Sequence, residues 1–177
     1  MIYFLRHGES KANVDGVFAG QLDDSPLSDV GIEQAKVAAR QLQSLQFDRI
    51  IASKLIRTRQ TAEIVAEVIA FDPTKIEYDD RILEYDMGSL TGTPNRKVTS
   101  LELISAEGAE DVKRFQDRVV SFLQDYKDSP QNILLVSHAG VGRIIECSKN
   151  GLDPTTFYDL ASYPNAHAVE LNLTWLN

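Results

Sequence analysis

Four apolar residues, Ile2 to Leu5, open the chain and stop at Arg6. A run of this kind, bounded by polar residues, predicts a buried strand. Residues 6–27 are polar and Gly-rich and read as a long loop. Ser28 is a helix-capping residue. After it, Ala35, Ala38, Ala39, Leu42 and Leu45 recur at helical spacing, which predicts a helix over 29–45 with one apolar stripe. Arg49–Ala52 reads as a second strand. From Leu55, the positions Thr58, Ala62, Val65, Ala66 and Ile69 trace a second helix face. Lys75–Tyr78 is a weaker strand candidate. The stretch 86–110 mixes Gly, Pro, Thr, Ser and Asn with charges and is the loosest in the chain. Val112, Phe115, Val119, Phe122 and Tyr126 place a helix over 111–127. Ile133–Val136 gives the clearest strand signal, and 140–149 reads as helix. Val169, Leu171, Leu173 and Trp175 alternate with polar residues, which predicts a half-buried strand suited to a sheet edge. Strands alternating with helices imply an α/β fold with a mostly parallel sheet. A length of 177 residues fits one domain spanning 1–177.

Composition narrows the function classes. Lys and Arg total 18 against 26 Asp and Glu, a formal net charge of −8. This acidity argues against a general nucleic-acid binder and against docking on anionic lipid. The N-terminal apolar run is too short for a secretory signal, and no segment approaches the roughly 20 apolar residues that span a bilayer. One cysteine, Cys147, rules out an internal disulfide and suits a reducing compartment, so a cytoplasmic protein is expected. Three histidines and one cysteine leave little material for a zinc site, and neither a metal nor another cofactor is expected.

The placement of those histidines is informative. In open α/β sheets, ligands bind beyond the carboxyl ends of the strands. The first strand runs into Arg6-His7-Gly8, and the strand 133–136 runs into Ser137-His138-Ala139-Gly140. Two of the three His therefore reach the same rim, each with Gly close behind it. Gly allows close backbone approach to a ligand, and a helix starting after His138 offers free N–H groups to an anion. Arg57 lies near the start of the helix after the second strand, and Arg6 directly follows an apolar strand. Arg59 is a weaker candidate. Guanidinium forks suit phosphate oxygens, so two Arg, two His and a helix N-terminus on one rim read as a dianion pocket.

These residues resemble the histidine phosphatase superfamily, in its phosphoglycerate-mutase-like branch. Leu5-Arg6-His7-Gly8-Glu9-Ser10 with Asn13 is similar to the first motif of that family. Gly20-Gln21-Leu22-Asp23 with Pro26-Leu27-Ser28 and Gly31 resembles the second. Ser53-Lys54-Leu55-Ile56-Arg57 with Gln60-Thr61-Ala62 resembles the third. Leu83-Glu84-Tyr85-Asp86-Met87-Gly88 with Gly92 resembles the fourth, and Val136-Ser137-His138-Ala139-Gly140-Val141 with Arg143 the last. The blocks follow the family's order. The resemblance implies a three-layer sandwich, with helices on both sides of a mostly parallel sheet.

A neutral imidazole can attack phosphorus and carry the phosphoryl group covalently. For that, one ring nitrogen must be unprotonated while the other donates to a fixed acceptor. The resemblance implies that His7 is this nucleophile and that Arg6, Arg57 and His138 clamp the phosphoryl oxygens. It also implies that Glu84 is the general acid, and later the base that activates water, a role that requires the carboxyl to be protonated when substrate arrives. Without the motif, Asp79, Asp80 and Asp86 compete with Glu84 for that role. Asn13, Gly20, Gln21, Ala139 and Tyr85 are the expected substrate contacts, and residues 85–110 and 150–165 are expected to line the mouth, with Tyr158 and Tyr163 as further aromatics there. Glu9 reads as structural, and His167 matches no catalytic position.

Several departures touch pocket loops. Leu90 and Thr91 stand where relatives often have aromatic and acidic residues, Gly108-Ala109-Glu110-Asp111 replaces a Gly-Glu-Ser element, and Ala139 replaces a Gly. They leave the substrate open. Only 53 residues lie between Glu84 and His138. True mutases of this kind carry longer insertions there, so the chain reads as a phosphomonoesterase for a small phosphorylated metabolite. Phosphoglycerate mutase is the alternative within the family, and a non-catalytic phospho-ligand-binding relative the alternative outside catalysis. A metal-dependent hydrolase using His7, Glu9 and His138 is weaker, for want of ligands. Oligomeric state is not set by the sequence.

Overall fold

The computed structural model describes residues 1–96 and 98–176. Five strands form one sheet: β1 (Ile2–Arg6), β2 (Arg49–Ala52), β3 (Glu77–Tyr78), β4 (Ile133–Ser137) and β5 (Ala168–Leu171). Their order is β3-β2-β4-β1-β5. The β1–β4, β2–β4 and β2–β3 pairs are parallel, and only β5 runs antiparallel, against β1.

Side chains alternate across a strand, and here both faces are buried. Ile2 and Phe4 of β1, Ile51 of β2 and Ile133 and Leu135 of β4 face one side. They pack against Phe115, Val119, Phe122 and Leu123 of one helix, α5 (Val112–Gln124), and Val141, Ile144 and Ile145 of another, α6 (Ala139–Lys149). Leu5, Ile50, Ala52, Leu134 and Val136 face the other side. Helices α2 (Asp29–Leu42) and α3 (Ile56–Val68) cover it through Ala38, Ala39, Leu42, Ala62, Val65 and Ala66. The small residues let these two helices lie close to the sheet. This is the expected three-layer sandwich, and all five residues of β4 are buried as a central parallel strand requires.

Three expectations are corrected. The loop 6–27 contains a short helix, α1 (Lys11–Asp15), capped by Ser10 and closed by Gly16 at φ 66°. Helix α2 ends at Leu42 rather than at 45, where the amide of Leu45 turns back to the Leu42 carbonyl at 2.9 Å. The last strand stops at Leu171, because the Asn172 side chain accepts the Thr174 amide at 2.9 Å and turns the chain. Leu173 and Trp175 still pack on the core from outside the sheet. A second short helix, α4 (Ser100–Ile104), lies inside the loosest stretch and is held by a Thr99–Glu102 capping box.

Candidate active site

The parallel β1–β4 register pairs Arg6 with Ser137, and the His7 amide donates to the Ser137 carbonyl at 2.9 Å. The next residue of each strand is therefore a histidine on the same rim. Their ring centroids lie 5.3 Å apart. Gly8 lets the chain leave β1 against α2, since a Cβ there would collide with the Gly31 carbonyl. Glu9 accepts from the Ser28 hydroxyl at 2.7 Å and so ties this turn to the α2 cap, a structural role as expected.

His7 is buried, and its Nδ1 lies 2.6 Å from the Gly8 carbonyl. A carbonyl can only accept, so Nδ1 carries the proton and Nε2 keeps its lone pair. Burial holds the imidazole well below its ordinary range, and the charges of Arg57 and Arg6 push it the same way. The ring is thus neutral and fixed in one tautomer, with the Nε2 lone pair unprotonated. His138 is fully buried behind the cleft surface, with Nε2 2.6 Å from the Ser53 hydroxyl and Nδ1 without a protein partner. Burial, then Arg57 and His7, hold it well below the usual imidazole range as well.

These two histidines predict a pH dependence of stability. Both stay neutral in the folded protein, while in the unfolded chain they bind protons below about pH 6.5. The unfolded state then holds more protons, so stability is full above that pH and is lost as pH falls below it. Melting temperature is expected to be flat from about pH 7 to 8 and to drop between about pH 6.5 and 5, before most carboxylates titrate. A melting temperature that rises on acidification through this window would contradict the neutral pair.

Arg57 is only 2% exposed. Its Nη2 donates to the Gly20 carbonyl at 2.8 Å and its Nη1 to the Asp23 carbonyl at 3.1 Å. Burial pushes the guanidinium down from the usual Arg range, and Glu84, Asp24 and Asp23 pull it back. Arg6 donates from Nη1 to the Tyr163 carbonyl at 2.8 Å, and its buried Nε has no protein partner. The α1 capping box occupies the Asn13 Oδ1, which accepts from the Ser10 amide at 3.1 Å. This leaves the Asn13 amide NH₂ as a donor.

Glu84 reaches the same cleft from a loop that follows a 3-10 turn at Asp80–Ile82. Its carboxylate accepts from the Tyr85 amide at 2.8 Å and from the Gly140 amide at 3.2 Å, in the first turn of α6. Arg118 on α5 holds the loop from behind. Its Nη1 donates to the Arg81 and Leu83 carbonyls, its Nη2 to the Glu84 carbonyl, and its Nε and Nη2 to the Glu110 carboxylate, at 2.7 to 2.9 Å. All five of its N–H groups are used. Gly140 keeps space for the carboxylate, since a Cβ there would collide with Glu84 Oε1. Gly140→Ala should gain up to about 1 kcal/mol of helix propensity, yet its kcat is expected to fall about 10- to 100-fold through displacement of Glu84. Steady-state kinetics beside a thermal melt checks this, and an unchanged kcat would remove Gly140 from the positioning of Glu84.

Arg6, His7, Arg57 and Glu84 meet in a cleft of about 150 Å³, which Asn13, Gly20 and Ala139 also line. Two expected contacts are corrected. Tyr85 is fully buried and stacks with Phe115 and Phe157, and its hydroxyl donates to the Glu110 carbonyl. It is a core residue, because consecutive residues of an extended loop point to opposite sides, and Glu84 takes the cleft side. Gln21 lies behind the Glu84 loop, donating to the Glu84 carbonyl at 2.8 Å. Of the mouth aromatics, Tyr158 lines the cleft, whereas the Tyr163 hydroxyl donates to Glu146. Arg59 sits outside over the Tyr78 ring, and His167 is exposed. The segments 85–110 and 150–165, expected at the mouth, supply Asn95 and Ser162 to the cleft lining and Asn165, which donates to the His7 carbonyl at 2.9 Å, although the sequence did not single out these three residues. Among the described residues, no group of three or more His, Cys, Asp or Glu is placed to hold a metal ion. No described helix is long and apolar enough to cross a membrane.

A mostly parallel sandwich with an arginine-flanked histidine at the β1–β4 crevice defines an α/β protein with a cationic cleft at the carboxyl ends of its strands. The chain belongs to the histidine phosphatase superfamily, branch 1, whose profile matches residues 2–174. It is 29% identical over 185 aligned positions to "Putative phosphoserine phosphatase 2" of Hydrogenobacter thermophilus, covering 97% of this chain and 89% of that protein. It is 35% identical to "Probable phosphoglycerate mutase GpmB" of Salmonella choleraesuis, covering 77% of this chain and 68% of that protein. Among solved structures, the α-ribazole phosphatase of Shigella flexneri superposes with a TM-score of 0.79 at 24% identity, covering 97% and 91% of the two chains. A mycobacterial glucosyl-3-phosphoglycerate phosphatase does so at 0.77 and 23%, covering 94% and 87%. At these identities the structural likeness speaks for the fold.

Proposed function

We propose that this protein is a phosphomonoesterase for a small phosphorylated metabolite, working through a phosphohistidine on His7. The observation that carries this reading is the fixed tautomer of His7, with Nδ1–H held by the Gly8 carbonyl and the Nε2 lone pair free beside two guanidinium groups. The relative "Putative phosphoserine phosphatase 2" supports the same reaction class.

His7 Nε2 attacks phosphorus and forms an N–P bond while the ester P–O bond breaks. Charge spreads over the equatorial oxygens, and Arg6, Arg57 and the Asn13 amide donate to them. His138, with Ser53 donating to its Nε2, lies beneath the cleft floor and supports the His7 ring from behind rather than by contact with the phosphoryl oxygens. Glu84 gives its proton to the leaving alkoxide. The same carboxylate then takes a proton from water, the resulting hydroxide attacks the phosphohistidine, and the N–P bond breaks to release inorganic phosphate. Each charge in these steps is met by a side chain of the cleft. A cytoplasmic setting belongs to the same proposal and rests on composition, with a single, buried, unpaired Cys147.

Release of inorganic phosphate from a panel of phosphomonoesters is expected with excess chelator present, and its absence across a broad panel would sink the reading. Glu84→Gln separates the acid from the nucleophile. It should slow an alkyl phosphate about 10²- to 10⁴-fold and p-nitrophenyl phosphate far less, because that leaving group departs without a proton. Equal slowing of both would argue against general-acid catalysis by Glu84.

A further inference from the structure

Arg143 takes no part in the steps above, yet it lines the cleft that holds Arg6, His7, Arg57 and Glu84. It stands on α6, one helical turn beyond the Gly140 amide that holds Glu84. Its Nε donates to the Leu160 carbonyl at 2.8 Å, and its guanidinium lies 4.5 Å from the centre of the Tyr158 ring. Among the described residues, Nη1 and Nη2 donate to no protein acceptor, and no carboxylate pairs with the group. Its charge is close enough to Arg6 to repel it.

Anchoring the Leu160 carbonyl uses one of five N–H groups and leaves a rigid fork on an aromatic shelf. Three guanidinium groups and one carboxylate, Glu84, therefore converge on one cleft. In the mechanism above Glu84 carries its proton when substrate arrives, so a phosphoryl dianion balances two of the three positive charges. The third, with its fork uncommitted, remains for another anionic group.

We infer that Arg143 recognises a second anionic group on the substrate, so that the cleft selects phosphomonoesters that also carry a carboxylate or a further phosphate. This rests on the phosphomonoesterase reading and specifies its substrate class. The fork is fixed before substrate arrives, so little ordering is needed on binding. The apolar side of the cleft, Phe18, Met87 and Phe157, suits the short carbon skeleton between the two anions.

The pair 3-phosphoglycerate and glycerol 3-phosphate differs by a carboxylate in place of a hydroxymethyl group and isolates the effect. Wild-type kcat/KM is expected to favour 3-phosphoglycerate by at least about tenfold. Arg143→Ala should cut that value about 30-fold or more, mainly through KM, while glycerol 3-phosphate and p-nitrophenyl phosphate change less than about threefold. Arg143→Lys should recover part of the loss. Fructose 1,6-bisphosphate against fructose 6-phosphate asks the same of a second phosphate, and preference in either pair that depends on Arg143 supports the inference. Equal loss on charged and uncharged partners in both pairs, or no wild-type preference in either, overturns it. Calorimetric binding of the same four compounds to His7→Ala, with and without Arg143→Ala, reads recognition without turnover. Selective binding without hydrolysis by the wild type would keep Arg143 as an anion reader and sink the phosphatase reading alone.

Discussion

His7→Ala is expected to lower kcat at least about 10⁴-fold on every substrate that the wild type hydrolyses, good and poor leaving groups alike. Alanine removes Nε2, and with it the lone pair that the Gly8 contact leaves free. The fold should survive, because the ring makes one side-chain hydrogen bond, to the neighbouring Gly8 carbonyl, and its burial energy is modest. Substrate should still bind, since Arg6, Arg57 and Asn13 hang on their own partners. A variant that binds phosphate normally and turns over at no more than background is thus the expected phenotype. Turnover within about tenfold of wild type would require another nucleophile.

Arg57→Ala is expected to be the next most severe change, because it acts on both rate and stability. The guanidinium is almost fully buried at the N-terminal end of α3 and points two donors at the Gly20 and Asp23 carbonyls. A fixed cation at developing phosphoryl charge contributes about 10³-fold or more, so kcat/KM should fall by at least that factor. The two carbonyls also lose their donors, at about 1–3 kcal/mol for a buried group left unpaired. A melting temperature several degrees lower is expected beside the kinetic loss. Arg57→Lys keeps the charge but cannot span both carbonyls, and should sit between alanine and wild type. An Arg57→Ala protein with kcat/KM within threefold of wild type would place the phosphoryl clamp elsewhere.

The residues that were legible in the sequence are those whose position follows from periodicity alone. β4 is apolar on both faces, as a central parallel strand must be, and its end fixes where His138 lies. β1 does the same for Arg6 and His7. Arg57 follows from the start of α3. Glu84 needed the motif, because it arrives on a loop without periodicity and is held by distant groups, the Gln21 amide and the Arg118 guanidinium. Tyr85 was misplaced for the same reason, since adjacency in a loop does not say which of two neighbours faces the cleft. His138 was expected on the rim and lies just beneath it, where Ser53 and His7 enclose the ring. Ser162 and Asn165 reach Arg6 and His7 from more than 150 residues away in the chain, a contact that no local pattern encodes.

The acidity of the chain also takes a definite meaning. A net charge of −8 argues against an extended polyanion, and it coexists with a cleft where Arg6, Arg57 and Arg143 outnumber Glu84. Charge is sorted locally, and one small anion needs only that cleft.

The central claim is a covalent bond between phosphorus and His7 Nε2. Rapid mixing with substrate, alkaline quench and peptide mass analysis tests it most directly. The account predicts one phosphoryl group on the peptide that contains His7, stable in alkali, lost in mild acid, and absent from His7→Ala. A phosphopeptide that survives acid, or one that maps to any other residue, would contradict it.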